Sequence, residues 1–244
     1  MSPHRTRIIQ LVDPAALAAR ACEEVQRAAH EALEQRGVFH LALSGGSTPK
    51  LLYRALAESG ADFSRWHVHF GDERCVPPGH ADSNFRMASE AWLGRGQVPA
   101  AQVHRIQGEL EPAQAAREYE RELVASLGAT GEVRLDLALL GLGTDGHTAS
   151  LFPGSSALAE TSARVAATFV EKLAAQRITL TLPMLNESRA VLFLVAGSDK
   201  VDALRELFHG DPEARPLPAA LVRPREGNVT WMVDGAAAAG LQDE

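Results

Sequence analysis

Residues 141–147, GLGTDGH, place three glycines, an aspartate and a histidine in the turn that follows the apolar run LDLALL. An imidazole gains or loses its proton near neutral pH, so His147 on this turn is a candidate general base or acid. Asp145, two residues earlier, is placed to orient the ring or stabilise its cation. The segment also matches G-x-G-x-x-G after a strand, the fingerprint of a dinucleotide site, and fails it on three counts. Asp145 would face a pyrophosphate with the wrong charge, Pro153 leaves little room for the helix that should follow, and the motif sits mid-chain instead of in a first βα unit. The turn is therefore read as a flexible display of an acid–base pair, and no nicotinamide or other cofactor is expected.

Three more loops carry groups suited to an anion. SGGSTP (44–49) combines Gly45 and Gly46, which let backbone approach a ligand, with the hydroxyls of Ser44, Ser47 and Thr48 and a helix N-terminus behind. It lacks the Walker spacing, and an ordinary capped turn explains Thr48 and Pro49 equally well. In GDER (71–74), backed by HADSN (80–84), Arg74 can grip a phosphate or carboxylate bidentately, while Asp72 is either a base or the partner of Arg74. GSDK (197–200) ends in Lys200, one of only three lysines in the chain, where an ammonium can reach a phosphate. His67 and His69 share a strand face but lack a third ligand, so no metal is expected. His30, His40, His104 and His209 are read as surface or packing residues.

These loops need a scaffold that brings them together. With 244 residues, 45% of them hydrophobic, the chain can bury a large core and is read as a single domain over 1–244. Asp13-Pro14 caps a helix that Gly37 ends, and the first sheet strand is expected at 38–43. A helix capped by Thr48 follows, then strands at 66–70 and 135–140, helices near 85–92, 112–127 and 199–208, and apolar runs at 163–170, 177–182, 190–197 and 228–233. Strands alternate with helices nearly throughout, which predicts an α/β fold with an open, mainly parallel, doubly wound sheet and ligands at the carboxyl ends of its strands. Each of the four loops follows a strand. The net charge of −7, without a basic block, argues against nucleic-acid binding. No apolar run is long enough to span a membrane, there is no signal-peptide pattern, and two cysteines are too few for a disulfide framework, so a cytoplasmic location is expected.

The order of these loops resembles the 6-phosphogluconolactonases and their relatives the glucosamine-6-phosphate deaminases. The resemblance runs through LALSGGSTPKLLYRAL, WHVHFGDERCVPPGHADSNFRMA, LDLALLGLGTDGHTASLFPGS, RITLTLPMLN, FLVAGSDKVDAL and LPAALV, nearly the whole chain. It implies a modified Rossmann sheet of the glucosamine-6-phosphate deaminase-like kind. It also implies hydrolysis of 6-phospho-D-glucono-1,5-lactone to 6-phospho-D-gluconate in the oxidative pentose phosphate pathway, without a cofactor. His147 would then activate water with Asp145 placing it. Ser44, Gly45, Gly46, Ser47, Thr48, Arg74 and Lys200 would hold the substrate phosphate, with Arg177 beside them. In the deaminases a glutamate completes the triad where this chain has Phe152, which cannot relay a proton. Asp72 matches the deaminase proton shuttle and does not discriminate. A non-catalytic sugar-phosphate sensor is the other alternative, and it would be expected to carry a DNA-binding module ahead of the strand at 38–43. Protein partners are left open.

Overall fold

Residues 5–129, 131–211 and 216–242 are described by the computed structural model; residues 1–4, where a signal peptide would begin, fall outside them. The chain runs β1 (Arg5–Leu11), α1 (Pro14–Arg36), β2 (Phe39–Leu43), α2 (Ser47–Glu58), β3 (Trp66–Phe70), β4 (Asp72–Arg74), α3 (Asn84–Ala91) and α4 (Pro112–Gly128). It continues with β5 (Leu137–Leu140), β6 (Val165–Val170), β7 (Ala175–Leu180), α5 (Leu182–Asn186), β8 (Ala190–Val195), α6 (Val201–His209) and β9 (Asn228–Asp234). Six strands form one sheet in the order β1-β9-β8-β5-β2-β3, with every pair parallel. Its central strands β2 and β5 are buried along their whole length, which is why they read as unbroken apolar runs.

The chain builds outward from β2 to β3, then returns to place β5 on the other side of β2. The direction of winding reverses between β2 and β5, and a crevice opens there at the carboxyl ends of the strands. Two fully buried tyrosines fix the exits. The Tyr53 hydroxyl accepts from Ser44 N at 2.9 Å and donates to Ser44 O at 2.6 Å where β2 ends. Tyr119 does the same to Phe70 N and O, at 2.8 and 2.9 Å, where β3 ends.

The expected fold class stands, with four differences in detail. A strand precedes the one expected at 38–43: β1 pairs only with β9 at the sheet edge, so its polar RTRIIQL shows no apolar run. The segments at 165–170 and 175–180 lie outside the parallel sheet and form an antiparallel three-stranded sheet, β4-β7-β6, with Asp72–Arg74. Its β6 and β7 are joined by a short turn, and such a connection imposes antiparallel pairing. α2 starts at Ser47 with Gly46 as its N-cap and no capping side chain, so Thr48 is not the cap. α5 has no counterpart in the expected elements; its five residues are too few to show a helical period.

His40 and His104 are indeed packed inside, as part of a four-histidine cluster. His40 Nδ1 lies 3.1 Å from His69 Nε2, and His67 Nδ1 lies 3.0 Å from His104 Nε2, whose other nitrogen meets Glu122 at 2.9 Å. The His69 and His104 rings stack at 4.6 Å, so one pair lies on the other. Burial and the neighbouring imidazoles lower the pKa of His40 to about 3 and that of His69 far below the ordinary value. Both rings are almost wholly inaccessible, at 3% and 0% exposure. Unfolding therefore takes up protons below the ordinary histidine pKa of about 6.5. The stability these groups provide is complete above that pH and is lost as pH falls toward their folded values. Urea unfolding should show stability flat above pH 7 and falling in acid by about 1.4 kcal/mol per pH unit for each buried imidazole. The double variant His40→Leu with His69→Leu should flatten that slope by up to two such increments, and an unchanged slope would show that the cluster does not govern acid stability.

Candidate functional site

The loops after β2, β4, β5 and β8 meet the β6–β7 hairpin around a cleft of about 340 Å³, within the usual range for a small-molecule site. Ser44, Gly45, Gly46, Asp72, Arg74, His147, Arg177 and Lys200 all line it. Three expected residues do not: Ser47 and Thr48 lie within the first turn of α2, and Asp145 sits behind His147.

His147 Nδ1 is 2.5 Å from Asp145 Oδ1. An ionised carboxylate only accepts, so Nδ1 carries the hydrogen and Nε2 keeps the free lone pair. One face of the imidazole is covered by Phe152, with ring centroids 4.0 Å apart and planes at 24°. Burial lowers the His147 pKa, and Asp145 only partly restores it. Burial would raise Asp145, yet its contacts with Lys172 and His147 prevail and hold it at about 2. A neutral imidazole backed by an ionised carboxylate is the resting arrangement at pH 7, and it is that of a general base.

The glycines of this turn provide space more than flexibility. A Cβ on Gly143 would stand 1.9 Å from His147 Nδ1, so the ring occupies the place of a side chain. Gly146 has φ +74° and would press a Cβ to 2.7 Å from Leu217. The turn is tied from within by Gly143 N to His147 O at 2.8 Å and by Thr148 Oγ1 to Gly141 O at 2.8 Å.

Asp72 is buried against the cleft wall, taking hydrogen bonds from Ser150 Oγ at 2.7 Å and Asn84 Nδ2 at 3.2 Å. Asn84 in turn fills the space above Gly45, where a Cβ would fall 2.1 Å from its Oδ1. Glu73 points elsewhere and accepts from the backbone N–H groups of Arg74, Asn84 and Phe85 and from Ser83 Oγ. Burial raises its pKa, and those four donors oppose the rise. Of the two acids in GDER, Asp72 serves the cleft and Glu73 holds the start of α3.

Arg74 and Arg177 are direct cross-strand partners in the antiparallel sheet. Arg74 donates to Asp82 O and Arg177 to Gln176 O; among the described residues no carboxylate forms an ion pair with either. Burial, then the charge of Arg74, lowers the Arg177 pKa. Lys200 also lines the cleft, 2.8 Å from Asp199. Gly46, the N-cap of α2, also lines the cleft, and no side chain caps the helix start behind it. The cleft thus has a base on one wall and a cationic, donor-rich surface able to take a phosphate. No group of three or more His, Cys, Asp or Glu among the described residues is arranged to hold a metal ion. His67 faces His104, and His69 faces His40.

Asn84, Ser150, Phe152 and Lys172 also line the cleft. Asn84 lies in the HADSN block without a role visible from the sequence, and Lys172 stands out there only as one of three lysines. Ser150 gave no signal, because its partner Asp72 is 78 residues away.

The model of the family described as glucosamine-6-phosphate isomerases/6-phosphogluconolactonase matches residues 12–231. A 6-phosphogluconolactonase of Nostoc sp. is 41% identical over 234 residues, covering 95% of this chain and 96% of its own. The Homo sapiens 6-phosphogluconolactonase is 41% identical over 219 residues, covering 87% of this chain and 84% of its own. Among solved structures, 6-phosphogluconolactonase from Trypanosoma cruzi superposes with a TM-score of 0.88 at 31% identity, covering 99% of each chain. A monomeric glucosamine-6-phosphate deaminase shares the fold, with a TM-score of 0.78 at 20% identity over 95% of this chain and 98% of its own.

The close packing over Gly143 has a direct test. Proton NMR of the wild type should show a strongly downfield resonance for the His147 Nδ1 hydrogen held by Asp145. Gly143→Ala should abolish it while the protein stays folded, because the new methyl and the ring cannot share one place. Retention of the resonance would mean that the turn yields instead of the ring.

Proposed function

The chain belongs to the glucosamine-6-phosphate isomerase/6-phosphogluconolactonase family, and we propose that it acts there as the lactone hydrolase, with His147 as its water-activating base. It converts 6-phospho-D-glucono-1,5-lactone to 6-phospho-D-gluconate. The observation that carries this reading is the His147–Asp145 contact at 2.5 Å on the same cleft as Arg74, Arg177 and Lys200.

The chemistry follows from that layout. Arg74, Arg177 and Lys200 take the phosphate, and the uncapped start of α2 adds N–H donors along the sugar. Anchoring a remote group fixes the lactone carbonyl beside His147, so binding energy also lowers the barrier. His147 Nε2 removes a proton from water as its oxygen attacks C1, and Asp145 stabilises the imidazolium through Nδ1. The tetrahedral intermediate then expels the ring oxygen, which takes the proton back from Nε2 and becomes the 5-hydroxyl. Such proton transfer is typically worth about 10²–10⁴ in rate.

The deaminase alternative needs a carboxylate where the Phe152 ring covers His147, and a phenyl group there shields the imidazole without relaying a proton. Asp72, hydrogen-bonded within the wall, is a secondary candidate for proton handling. A cytoplasmic location and the absence of nucleic-acid partners belong to the same reading, supported by two free cysteines and the net charge of −7. Among the described residues no helix is long and apolar enough to cross a membrane.

Freshly generated 6-phosphogluconolactone should be hydrolysed well above its spontaneous rate, with kcat/KM level through neutral pH and falling in acid around a midpoint below 6.5, because the His147 pKa is lowered. His147→Ala should remove most of the acceleration, on the order of 10²-fold or more, while still binding 6-phosphogluconate. Asp145→Asn should lose less, since a misaligned base remains. Wild-type turnover by a folded His147→Ala protein would refute the assignment.

The phosphate surface is tested separately. Arg74→Ala and Lys200→Ala should raise KM for the phosphorylated lactone at least tenfold more than for glucono-1,5-lactone, about 1.4 kcal/mol of discrimination. Equal losses on both substrates would assign these residues to the chemistry or the fold.

A further inference from the structure

Lys172 stands at the tip of the β6–β7 hairpin, in the short turn Glu171–Leu173, which Ala174 closes with φ +46°. Its ammonium binds Asp145 Oδ2, while His147 Nδ1 takes the other oxygen of the same carboxylate. The ammonium also lies 4.9 Å from the centre of the Phe152 ring, which stacks on His147. One side chain from the second sheet therefore touches both groups that flank the imidazole, and it lines the cleft as well.

We propose that Lys172 is a positioning residue for the base: it shares the Asp145 carboxylate with His147, fixing the imidazole while limiting how strongly that carboxylate pulls on the imidazolium. The inference rests on His147 being the base.

A carboxylate bound to an ammonium has less negative field to offer a second cation, so the imidazole beside it is easier to keep neutral. Asp145 and Asp72 favour the protonated ring, whereas burial and Lys172 oppose it. Arg74 from β4, Arg177 from β7 and Lys200 from the loop after β8 are the other charged groups on the cleft. Lys172 alone among these cations bonds to the partner of the base. Removing it leaves Asp145 to His147 alone, so the ring should hold its proton to higher pH and the base should fail earlier on acidification.

The test is a pair of variants, Lys172→Met and Lys172→Arg, followed by the pH dependence of kcat/KM on 6-phosphogluconolactone and on glucono-1,5-lactone. For Lys172→Met the acid limb should move toward neutral pH on both substrates, so that the ratio of activity at pH 5.5 to that at pH 8 falls by about three- to tenfold relative to wild type. Lys172→Arg should restore the wild-type limb. NMR titration of the His147 ring should show the same displacement without reference to turnover. An unmoved limb and ring titration would overturn the proposal, and a raised KM confined to the phosphorylated lactone would make Lys172 a phosphate ligand instead. Failure of the base assignment is recognised separately, as an acid limb that persists in His147→Ala.

Discussion

The His147 imidazole can hold its position only because residue 143 has no side chain. Its Nδ1 lies where a Cβ at 143 would clash at 1.9 Å, and the same nitrogen must reach Asp145 at 2.5 Å. Those two requirements leave the ring one place. The backbone is closed to suit them by Gly143 N to His147 O, and Gly146 takes a left-handed conformation against Leu217. Behind the turn, β5 is buried on every residue and paired on both sides, with β2 and β8, so His147 is mounted on an interior strand of the sheet. A glycine-rich turn here is thus a rigid mount, and little reorganisation is left for the reaction to pay for.

The cationic part of the cleft is organised by repulsion. Arg74 and Arg177 face each other across an antiparallel pair, an arrangement that costs stability unless an anion sits between or beside them. Burial and this neighbour both weaken the hold of Arg177 on its proton, the electrostatic mark of a site short of negative charge. Over a surface with a net charge of −7, such a concentration of cations attracts small anions locally without making the protein a general binder of polyanions.

Much of this was legible in the sequence because the four motifs sit directly after strands. The alternation of elements gave the parallel sheet, and the sheet implies where its loops converge. Ser44, His147 and Lys200 met in one cleft for that reason, whereas Arg74 reaches it from β4 of the antiparallel sheet. The antiparallel sheet was less legible: β6 (VAATFV) and β7 (AQRITL) are short, only partly buried runs that mix apolar and polar residues, and nothing local in them names the strand each pairs with. The edge strand β1 escaped because an edge need not be apolar. Contacts between distant positions, such as Ser150 with Asp72 or Lys172 with Asp145, leave no local pattern at all. Ser47 and Thr48 misled in the opposite way: they stand in the first turn of α2, outside the cleft lining that Ser44, Gly45 and Gly46 of the same motif share.

The site is a product of two sheets meeting. The parallel sheet contributes the SGGSTP turn, the His147 turn and Lys200, and the antiparallel one contributes Asp72, Arg74, Arg177 and Lys172. The two are joined at Gly71, whose N donates to Leu43 O and whose O accepts from Leu180 N, both at 2.8 Å. That junction sets the height of the second sheet against the end of β2. In the register it fixes, Arg74 opposes Arg177. A slip of one residue in β7 would turn Arg177 to the other face of its sheet. The distance from His147 to the Arg74–Arg177 pair is therefore governed by backbone pairing, and the side chains of the cleft inherit their spacing from it.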